Sequence, residues 1–235
     1  FYEAFVKGKC YETNAKTAEM VKLVENSSRD AQIAFANQVA AMSNAAGISP
    51  FEVIKLANKH PRVNILEPGC GVGGHCIAVD PWFLIEGFPK ATNLLKSARE
   101  TNDKKPMLVV KNILIQAQLK KNPKLLLLGL TFKPNVDDLR ESPALEIAKK
   151  LILEKNKFTM KVHEPFIENE KLLALGFESV DSLYSAIEET DIIAILVKHE
   201  VFKKIDLNIL RNKTIIDPCG LIYEIQERNE ATLRT

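Results

Sequence analysis

Apolar residues recur at helical spacing through the first part of the chain. Between about Ala15 and Ala46 they predict one long helix, with Thr17 as the N-cap and Gly47 just beyond the last turn. The apolar positions that carry this pattern are Val21, Val24, Ala31, Phe35, Val39 and Met42. A helix of roughly 30 residues extends about 45 Å, which is too long for a small domain to cover. We therefore expect it to pack against a second subunit in a homodimer.

The remainder of the first half also has a helical pattern. Residues 49–60 predict a short helix, and a loop then leads to another helical start at Asp80. A longer helix is expected from about residue 89 to residue 120, with Pro106 as the position where it would break.

Beyond Pro123 the pattern changes to short apolar runs separated by amphipathic segments. The runs lie at 125–130, 159–164, 192–197 and 214–218. The helical segments between them begin near Pro143, near Asn169 or Asp181, and near His199. Uninterrupted apolar strands that alternate with helices are typical of a parallel sheet covered on both faces. The sequence therefore predicts an α/β protein in two domains, a helical one at 1–121 and a Rossmann-like parallel-sheet domain at 122–235.

Charge and composition argue against several kinds of partner. The 32 basic and 30 acidic residues are interspersed, without the basic stripe of a nucleic-acid-binding protein. The longest apolar runs are far shorter than the roughly 20 residues that a membrane span needs. Four cysteines are too few for a disulfide scaffold and indicate a reducing compartment, which we take to be the cytoplasm. We expect neither a nucleic acid nor a membrane as partner.

The stretch EPGCGVGGHCIAVDPW, residues 67–82, contains four of the ten glycines, two of the four cysteines and the only tryptophan. Its Gly69-x-Gly71-x-x-Gly74 spacing matches the dinucleotide-binding fingerprint. That fingerprint needs a strand running into the first glycine and an acidic residue about 20 positions later, after another strand. Here Pro68 precedes the first glycine, and the residues about 20 positions on have a helical pattern. We therefore interpret the match as fortuitous.

A reactive thiol at Cys76 is the alternative interpretation of this loop. The glycines would admit a ligand close to the backbone, and the start of the following helix would favour a thiolate. Asp80 lies one helical turn later and could hold a water or orient a base. A buried, unreactive cysteine is the competing interpretation. A zinc site from Cys70, His75 and Cys76 is disfavoured because adjacent His and Cys cannot easily bind one ion, so no metal is expected.

Two further groups of polar residues are candidates for binding. Lys22 and Asn26 are four residues apart and share one face of the long helix. Lys133 and Arg140 lie in GLTFKPNVDDLRESP, just after the first predicted strand, where ligands of doubly wound sheets bind. For both groups, ordinary solvated side chains remain the alternative.

Several long stretches resemble one family, the nucleotide-sugar 6-dehydrogenases, which include UDP-glucose dehydrogenase. The matching segments are TAEMVKLVENSSRDAQIAFANQVA, HPRVNILEPGCGVGGHCIAVDPWF, SARETND and GLTFKPNVDDLRESPALEIA. Within the family, GGHCIAVDP resembles the UDP-N-acetyl-D-mannosamine dehydrogenase branch. UDP-glucose dehydrogenases typically carry Ser-Cys and Lys-Asp where this chain has His75-Cys76 and Val79-Asp80.

The resemblance implies an oxidation of a sugar C6 hydroxyl to a carboxylate, with NAD as the cofactor. Cys76 would attack the intermediate aldehyde, a second oxidation would give a thioester, and water would hydrolyse it. Lys22 would stabilise the oxyanion. Asn26 and Asp80 would position the water or the reacting hydroxyl.

The resemblance also implies substrate and cofactor contacts. Gly73 would lie against the sugar, and Arg62 would reach the substrate of the neighbouring subunit across the dimer. Phe132 and Lys133 would bind the UDP-sugar, and Arg140 would contact NAD.

The chain also departs from the family pattern. The N-terminal NAD-binding Rossmann domain has no counterpart, and the first residues lack both an initiator methionine and a signal-peptide core. We therefore expect a part of a longer enzyme that is inactive by itself. Cys219 lies near a position where relatives often place a basic residue, which puts one diphosphate contact in doubt. The alternatives are a non-catalytic sugar-nucleotide-binding or dimerisation module, and a dehydrogenase of UDP-glucose, UDP-N-acetylglucosamine or GDP-mannose.

Overall fold

The computed structural model describes residues 4–154 and 156–233. The first half consists of four helices. They are α1 (Ala15–Ala45), α2 (Pro50–Ala57), α3 (Asp80–Gly87) and α4 (Asn93–Gln118). The helical character predicted for this half is confirmed.

Two local details of the helices differ from the sequence-based expectation. Asn14, not Thr17, caps α1, because the Asn14 side-chain oxygen accepts a hydrogen bond from the Thr17 backbone N–H at 2.9 Å. α4 continues through Pro106, which sequence reasoning treated as a break. The Pro106 ring is buried and packs towards Gly71 of the glycine-rich loop. This packing offsets the missing backbone hydrogen bond.

The second half is built on a sheet of four parallel strands in the order β2-β1-β3-β4. The strands are β1 (Lys124–Leu128), β2 (Thr159–His163), β3 (Ile192–Ile195) and β4 (Thr214–Ile216). The helices are α5 (Pro143–Ile152), α6 (Asn169–Ala174), α7 (Leu183–Glu189) and α8 (Leu221–Leu233). Two 3₁₀ segments, Glu200–Lys204 and Leu207–Leu210, occupy the place where a helix was expected near His199. The predicted α/β class with a parallel sheet is confirmed.

Both faces of the sheet are covered. Leu125 and Leu127 of β1 point into a core that α5 and α4 complete, whereas Leu126 and Leu128 point into a second core with α7 and α8. These four leucines are almost completely buried, which explains why the strand reads as an uninterrupted apolar run. Because α4 belongs to the helical half and also covers the sheet, it joins the two halves.

A buried polar network ties α1 to α4. The Arg99 guanidinium donates to Asp30 at 2.5 Å and also pairs with Asp103. Asn102 donates to the same Asp30 carboxylate at 2.8 Å. Asn102 also accepts from the Asn37 side chain at 3.1 Å. Among the described residues, Oδ2 of Asp30 and Nε of Arg99 have no hydrogen-bond partner, while the other groups of the network are paired. Because buried polar groups are costly unless they are paired, these hydrogen bonds favour one alignment of the two long helices.

The outward face of α1 carries a stripe of large apolar side chains among polar ones. The large side chains of Val21, Val24, Phe35 and Met42 are exposed, although they formed most of the predicted apolar stripe. The face that packs inside the chain carries small and polar residues, including Asn26, Ser27 and Asp30. Within the described residues, no helix combines the length and apolar character needed to cross a membrane.

Candidate functional site

The glycine-rich loop, residues 66–79, runs between the helical half and the sheet. The Gly69 backbone N–H donates to the Asn37 side chain at 3.1 Å, which anchors the loop to α1. A Cβ at Gly73 would lie 2.6 Å from both the Glu141 carbonyl oxygen and the Pro143 ring. Position 73 therefore needs glycine, because protein packs against the backbone there and leaves no room for a side chain.

Phe132 is the side chain that meets the loop from the sheet side. A Cβ at Gly74 would come within 3.0 Å of the Phe132 ring, and Gly74 has a backbone φ of +82°. Lys133 is exposed, with its ammonium 5.3 Å from the centre of the same ring. The structure thus brings Phe132 and Gly73 together, while the predicted contacts of both residues with a UDP-sugar stay predictions.

Cys76 is exposed and lies in the turn that leads into α3. Its carbonyl oxygen accepts the Asp80 backbone N–H at 2.9 Å. The Asp80 carboxylate in turn accepts a hydrogen bond of 2.5 Å from the buried Asn26 side chain of α1. Three of the four predicted catalytic residues therefore form one connected group where α1 meets α3.

Lys22 is the fourth predicted catalytic residue. It lies one turn before Asn26 on α1, so both side chains leave the same side of the helix. Its ammonium is exposed and lies 3.7 Å from the Glu25 carboxylate. The structure places Lys22 next to the Asn26–Asp80 pair along the helix and leaves its catalytic role a prediction.

Arg140 lies at the exposed end of the loop that follows β1. Its guanidinium pairs with Asp138 at 2.7 Å, and 77% of its side chain is exposed. Hydrogen bonds from Arg140 lower the pKa of Asp138 to about 2. An incoming anion would have to compete with this carboxylate for Arg140.

Arg62 is separated from the other predicted residues. It lines a cavity of about 650 Å³ on the outward face of α1, together with Val24 and Phe35. This is the surface on which a second subunit was expected, so the position of Arg62 is compatible with its predicted role across a dimer.

A second cavity, of about 660 Å³, lies beside the loop. It is lined by Val79 and Trp82 from the loop and α3, by Arg99 from α4, and by Glu141 and Lys149 from the second half. Cys76, Lys22 and Asp80 are not among its lining residues. Among the described residues, no group of three or more His, Cys, Asp or Glu side chains is placed to hold a metal ion.

Sequence reasoning missed a buried pair that supports the Phe132 loop. The side chains of Glu164 and His199 are fully buried, with Nε2 of His199 3.2 Å from the Glu164 carboxylate. That carboxylate accepts the backbone N–H groups of Leu130 and Thr131 at 2.6 and 3.1 Å. Nδ1 of His199 accepts the Asn135 backbone N–H, so Nε2 carries the proton. Glu164 directly follows β2 and His199 lies two residues beyond the apolar run at 192–197, and this position at strand ends was the available signal.

Comparison with known proteins agrees with this arrangement. Residues 16–104 match the family model "UDP-glucose/GDP-mannose dehydrogenase family, central domain", and residues 126–224 match the UDP binding domain of the same family. Together the two matches cover most of the chain, which belongs to this family.

Three individual proteins of known name are similar to this chain. The chain is 50% identical over 203 residues to a UDP-N-acetyl-D-mannosamine dehydrogenase of Campylobacter jejuni, covering 86% of this chain and 50% of that protein. It is 46% identical over 222 residues to an NDP-N-acetyl-D-galactosaminuronic acid dehydrogenase of Ralstonia solanacearum, covering 94% and 52%. A solved UDP-D-ManNAc dehydrogenase from Pyrococcus horikoshii superposes with a TM-score of 0.80 at 36% identity, over 94% of this chain and 52% of that one. The chain thus spans about half the length of these relatives.

Proposed function

We propose that this chain is the substrate-side half of an NAD-dependent dehydrogenase that oxidises the C6 hydroxyl of UDP-N-acetyl-D-mannosamine to a carboxylate. The observation that carries the proposal is the hydrogen-bonded Asn26–Asp80 pair, which a backbone hydrogen bond from Asp80 joins to the exposed Cys76. The membership of the family and the names of the relatives support the reaction class. The GGHCIAVDP segment supports the N-acetylmannosamine branch.

In this proposal Cys76 provides the nucleophile. Its sulfur would add to the carbonyl carbon of a C6 aldehyde, and its proton would pass to the aldehyde oxygen to give a thiohemiacetal. The Lys22 ammonium would stabilise negative charge on that oxygen as the carbon–sulfur bond forms. After oxidation to the thioester, a water held by the Asn26–Asp80 pair would add to the carbonyl carbon and release the Cys76 thiol and the carboxylate.

We do not place the NAD site in the glycine-rich loop. Two of its three fingerprint glycines are packed against protein, because Gly71 meets Pro106 and Pro143 and Gly74 meets the Phe132 ring. Arg140 is the candidate contact with NAD that the described residues supply. We propose that the other half of the enzyme binds NAD, which accepts the hydrides.

The homodimer is part of the same proposal. The exposed apolar side chains of α1 and the cavity beside Arg62 form one continuous surface, and a second copy of α1 would remove it from water. The partner's Arg62 would then approach the substrate of this subunit, as the family resemblance implies.

Alkylation of Cys76 tests the proposed nucleophile. Iodoacetamide should modify Cys76 readily, and saturating UDP-N-acetyl-D-mannosamine should slow the reaction at least ten-fold. Cys10, which is half-buried in the N-terminal segment, is the internal control whose modification rate should not change. Unprotected alkylation of Cys76 in the presence of bound ligand would exclude it from the site.

Two further measurements separate the alternatives. The chain mixed with NAD and UDP-N-acetyl-D-mannosamine should produce no NADH, and turnover would show that a cofactor site lies within it. Calorimetric titration with UDP, GDP and their sugar conjugates should show a preference for UDP and for the N-acetylated sugar. Tight binding without protection of Cys76 would favour a non-catalytic binding module.

A further inference from the structure

Two cysteines outside the proposed catalytic group meet between the two halves of the chain. Cys70 belongs to the glycine-rich loop, and Cys219 lies in the turn between β4 and α8. Their thiols donate to the same acceptor, the Leu196 carbonyl oxygen, at 3.3 and 3.2 Å. Residues separated so widely along the chain are thus held around one carbonyl oxygen.

We propose that Cys70 and Cys219 are an oxidant-sensitive pair that forms a reversible disulfide between the glycine-rich loop and the sheet half of the chain. The oxidant class is a peroxide. This proposal concerns a modification site and stands whether or not the chain belongs to an enzyme that oxidises UDP-N-acetyl-D-mannosamine.

Exposure determines which sulfur reacts first. Cys70 is buried, with 6% of its surface exposed, whereas Cys219 is half-buried and lines a cavity of about 300 Å³. Glu67, Pro68 and Lys198 line the same cavity, which therefore opens between the loop and the sheet half. A small peroxide can reach Cys219 through this space, and Cys70 is the resolving thiol beside it.

The chemistry balances with hydrogen peroxide alone. The Cys219 sulfur attacks one peroxide oxygen and the O–O bond breaks, which gives a sulfenic acid and one water. The Cys70 sulfur then attacks the sulfur of the sulfenic acid, the S–O bond breaks, and the Cys70 proton leaves with the hydroxyl as a second water. Two thiols are oxidised by two electrons, and one peroxide is reduced to two waters.

The surroundings favour a reversible reaction. The neighbouring Cys70 thiol and burial hold the pKa of the Cys219 thiol well above its usual range, while the nearby Lys198 ammonium acts in the opposite direction. Little thiolate is therefore present, and the first step with peroxide is slow. Lys105 of α4 is close enough to interact electrostatically with both sulfurs and would stabilise a transient thiolate. Disulfide formation removes both donors from the Leu196 carbonyl, and a buried carbonyl without a partner favours the return to thiols.

Peptide mapping tests the pair directly. A Cys76→Ser variant is the suitable background, because trypsin then leaves Cys70 as the only cysteine in residues 63–90 and Cys219 as the only one in residues 214–228. After treatment with hydrogen peroxide and blocking of free thiols, these peptides should appear as one linked species. Its mass should be lower than the sum of the two by two hydrogen atoms. Dithiothreitol should separate them.

The matched control is a Cys76→Ser, Cys219→Ser double variant, in which the linked species should be absent while the melting curve stays close to that of the single variant. Sulfinic acid at Cys219 with no linked peptide would overturn the proposal. A disulfide from either residue to Cys10 would also overturn it. If that double variant does not fold, a Cys70→Ser, Cys76→Ser variant is the second control, in which the linked species should also be absent.

Discussion

Gly73 is the residue at which the packing between loop and sheet half is tightest. A methyl group there would lie 2.6 Å from a backbone oxygen and from the Pro143 ring, and neither neighbour is a flexible side-chain end. At Gly69, in the same loop, nothing lies within 4 Å of the same position. The two glycines therefore allow a controlled comparison.

We expect Gly73→Ala to lower the free energy of unfolding by about 1–3 kcal/mol, because the added atom forces the loop away from Glu141. Gly69→Ala should change the free energy of unfolding by less than about 1 kcal/mol. Urea unfolding of both variants measures the difference. Equal stability of the two would mean that the loop moves freely and that the close contact is unimportant.

Glu164 is the second residue whose role can be isolated. Burial alone would raise the pKa of this carboxyl, but hydrogen bonds from His199 and from the Leu130 backbone outweigh burial and leave the pKa below its usual value. Because the folded state lowers the pKa, the carboxylate stabilises the fold above its unfolded-state pKa. This stabilisation is lost as the pH falls through the folded-state pKa.

Glu164→Gln should therefore lower the free energy of unfolding at neutral pH by about 2–4 kcal/mol, since the amide cannot replace a charged acceptor for four donors. The difference in free energy of unfolding between the variant and the unsubstituted chain should become smaller as the pH is lowered into the acid range. Glu178→Gln is the control, because that side chain is exposed and its ion pair with Lys161 is weak. Urea unfolding over a pH series measures this difference. A difference that stays constant with pH would contradict the prediction.

At the scale of elements, α1 is a helix with large apolar side chains on its outward face and small or polar side chains on its inward face. About half of the Phe35 side chain is exposed, and Val24 and Met42 lie on the same outward surface. The inward face instead contacts α4 through Asp30 and Asn37, whose partners are polar. A soluble helix normally shows the opposite arrangement, so the outward face is suited to a second apolar surface.

Phe35→Glu should weaken self-association at least ten-fold, because it places a charge in the middle of this apolar face. Gln118→Glu introduces the same charge at the exposed end of α4 and should leave association unchanged. Sedimentation velocity over a concentration series distinguishes monomer from dimer. A chain that is monomeric at every concentration before substitution would contradict the dimer through α1.

At the scale of the whole molecule, the two halves share one core. Val109, Val110 and Ile113 of α4 pack in the same cluster as Leu125 and Leu127 of β1. Further links are the Lys198–Glu67 ion pair at 2.7 Å and the stacking of Phe51 on Tyr223. Because α4 serves both halves, we expect them to unfold together.

Trp82 in α3 reports on the helical half, and circular dichroism reports on the whole chain. Their urea transitions should coincide. Ile113→Ala should shift both transitions equally and lower the free energy of unfolding by about 2–5 kcal/mol, because Ile113 is completely buried. Ile115→Ala on the same helix, where the side chain is 46% exposed, should lower the free energy of unfolding much less. A tryptophan transition that precedes the dichroism transition would show two independent units.

The division at residue 121 and the assigned roles of the site residues stay predictions, for a physical reason. The division was drawn from a change in the hydrophobic pattern, but a pattern along the chain does not show that α4 also covers the sheet. The roles of Cys76, Lys22 and Asp80 rest on the family resemblance, and substrate contacts require a substrate. The sequence analysis expected Asn26 and Asp80 to position the same water or hydroxyl. The hydrogen bond between them was found only in the structure.

The sequence alone determined the elements and the class of fold, because helical periodicity and buried strands are set by neighbouring residues. It also contained the glycine-rich loop and the segments by which the family is identified. Only the tertiary structure decided which face of α1 is buried, why α4 passes through Pro106, and that Glu164 meets His199 and Cys70 meets Cys219. Each of these depends on contacts between residues far apart in the chain, and hydrophobic pattern carries no information about such distances.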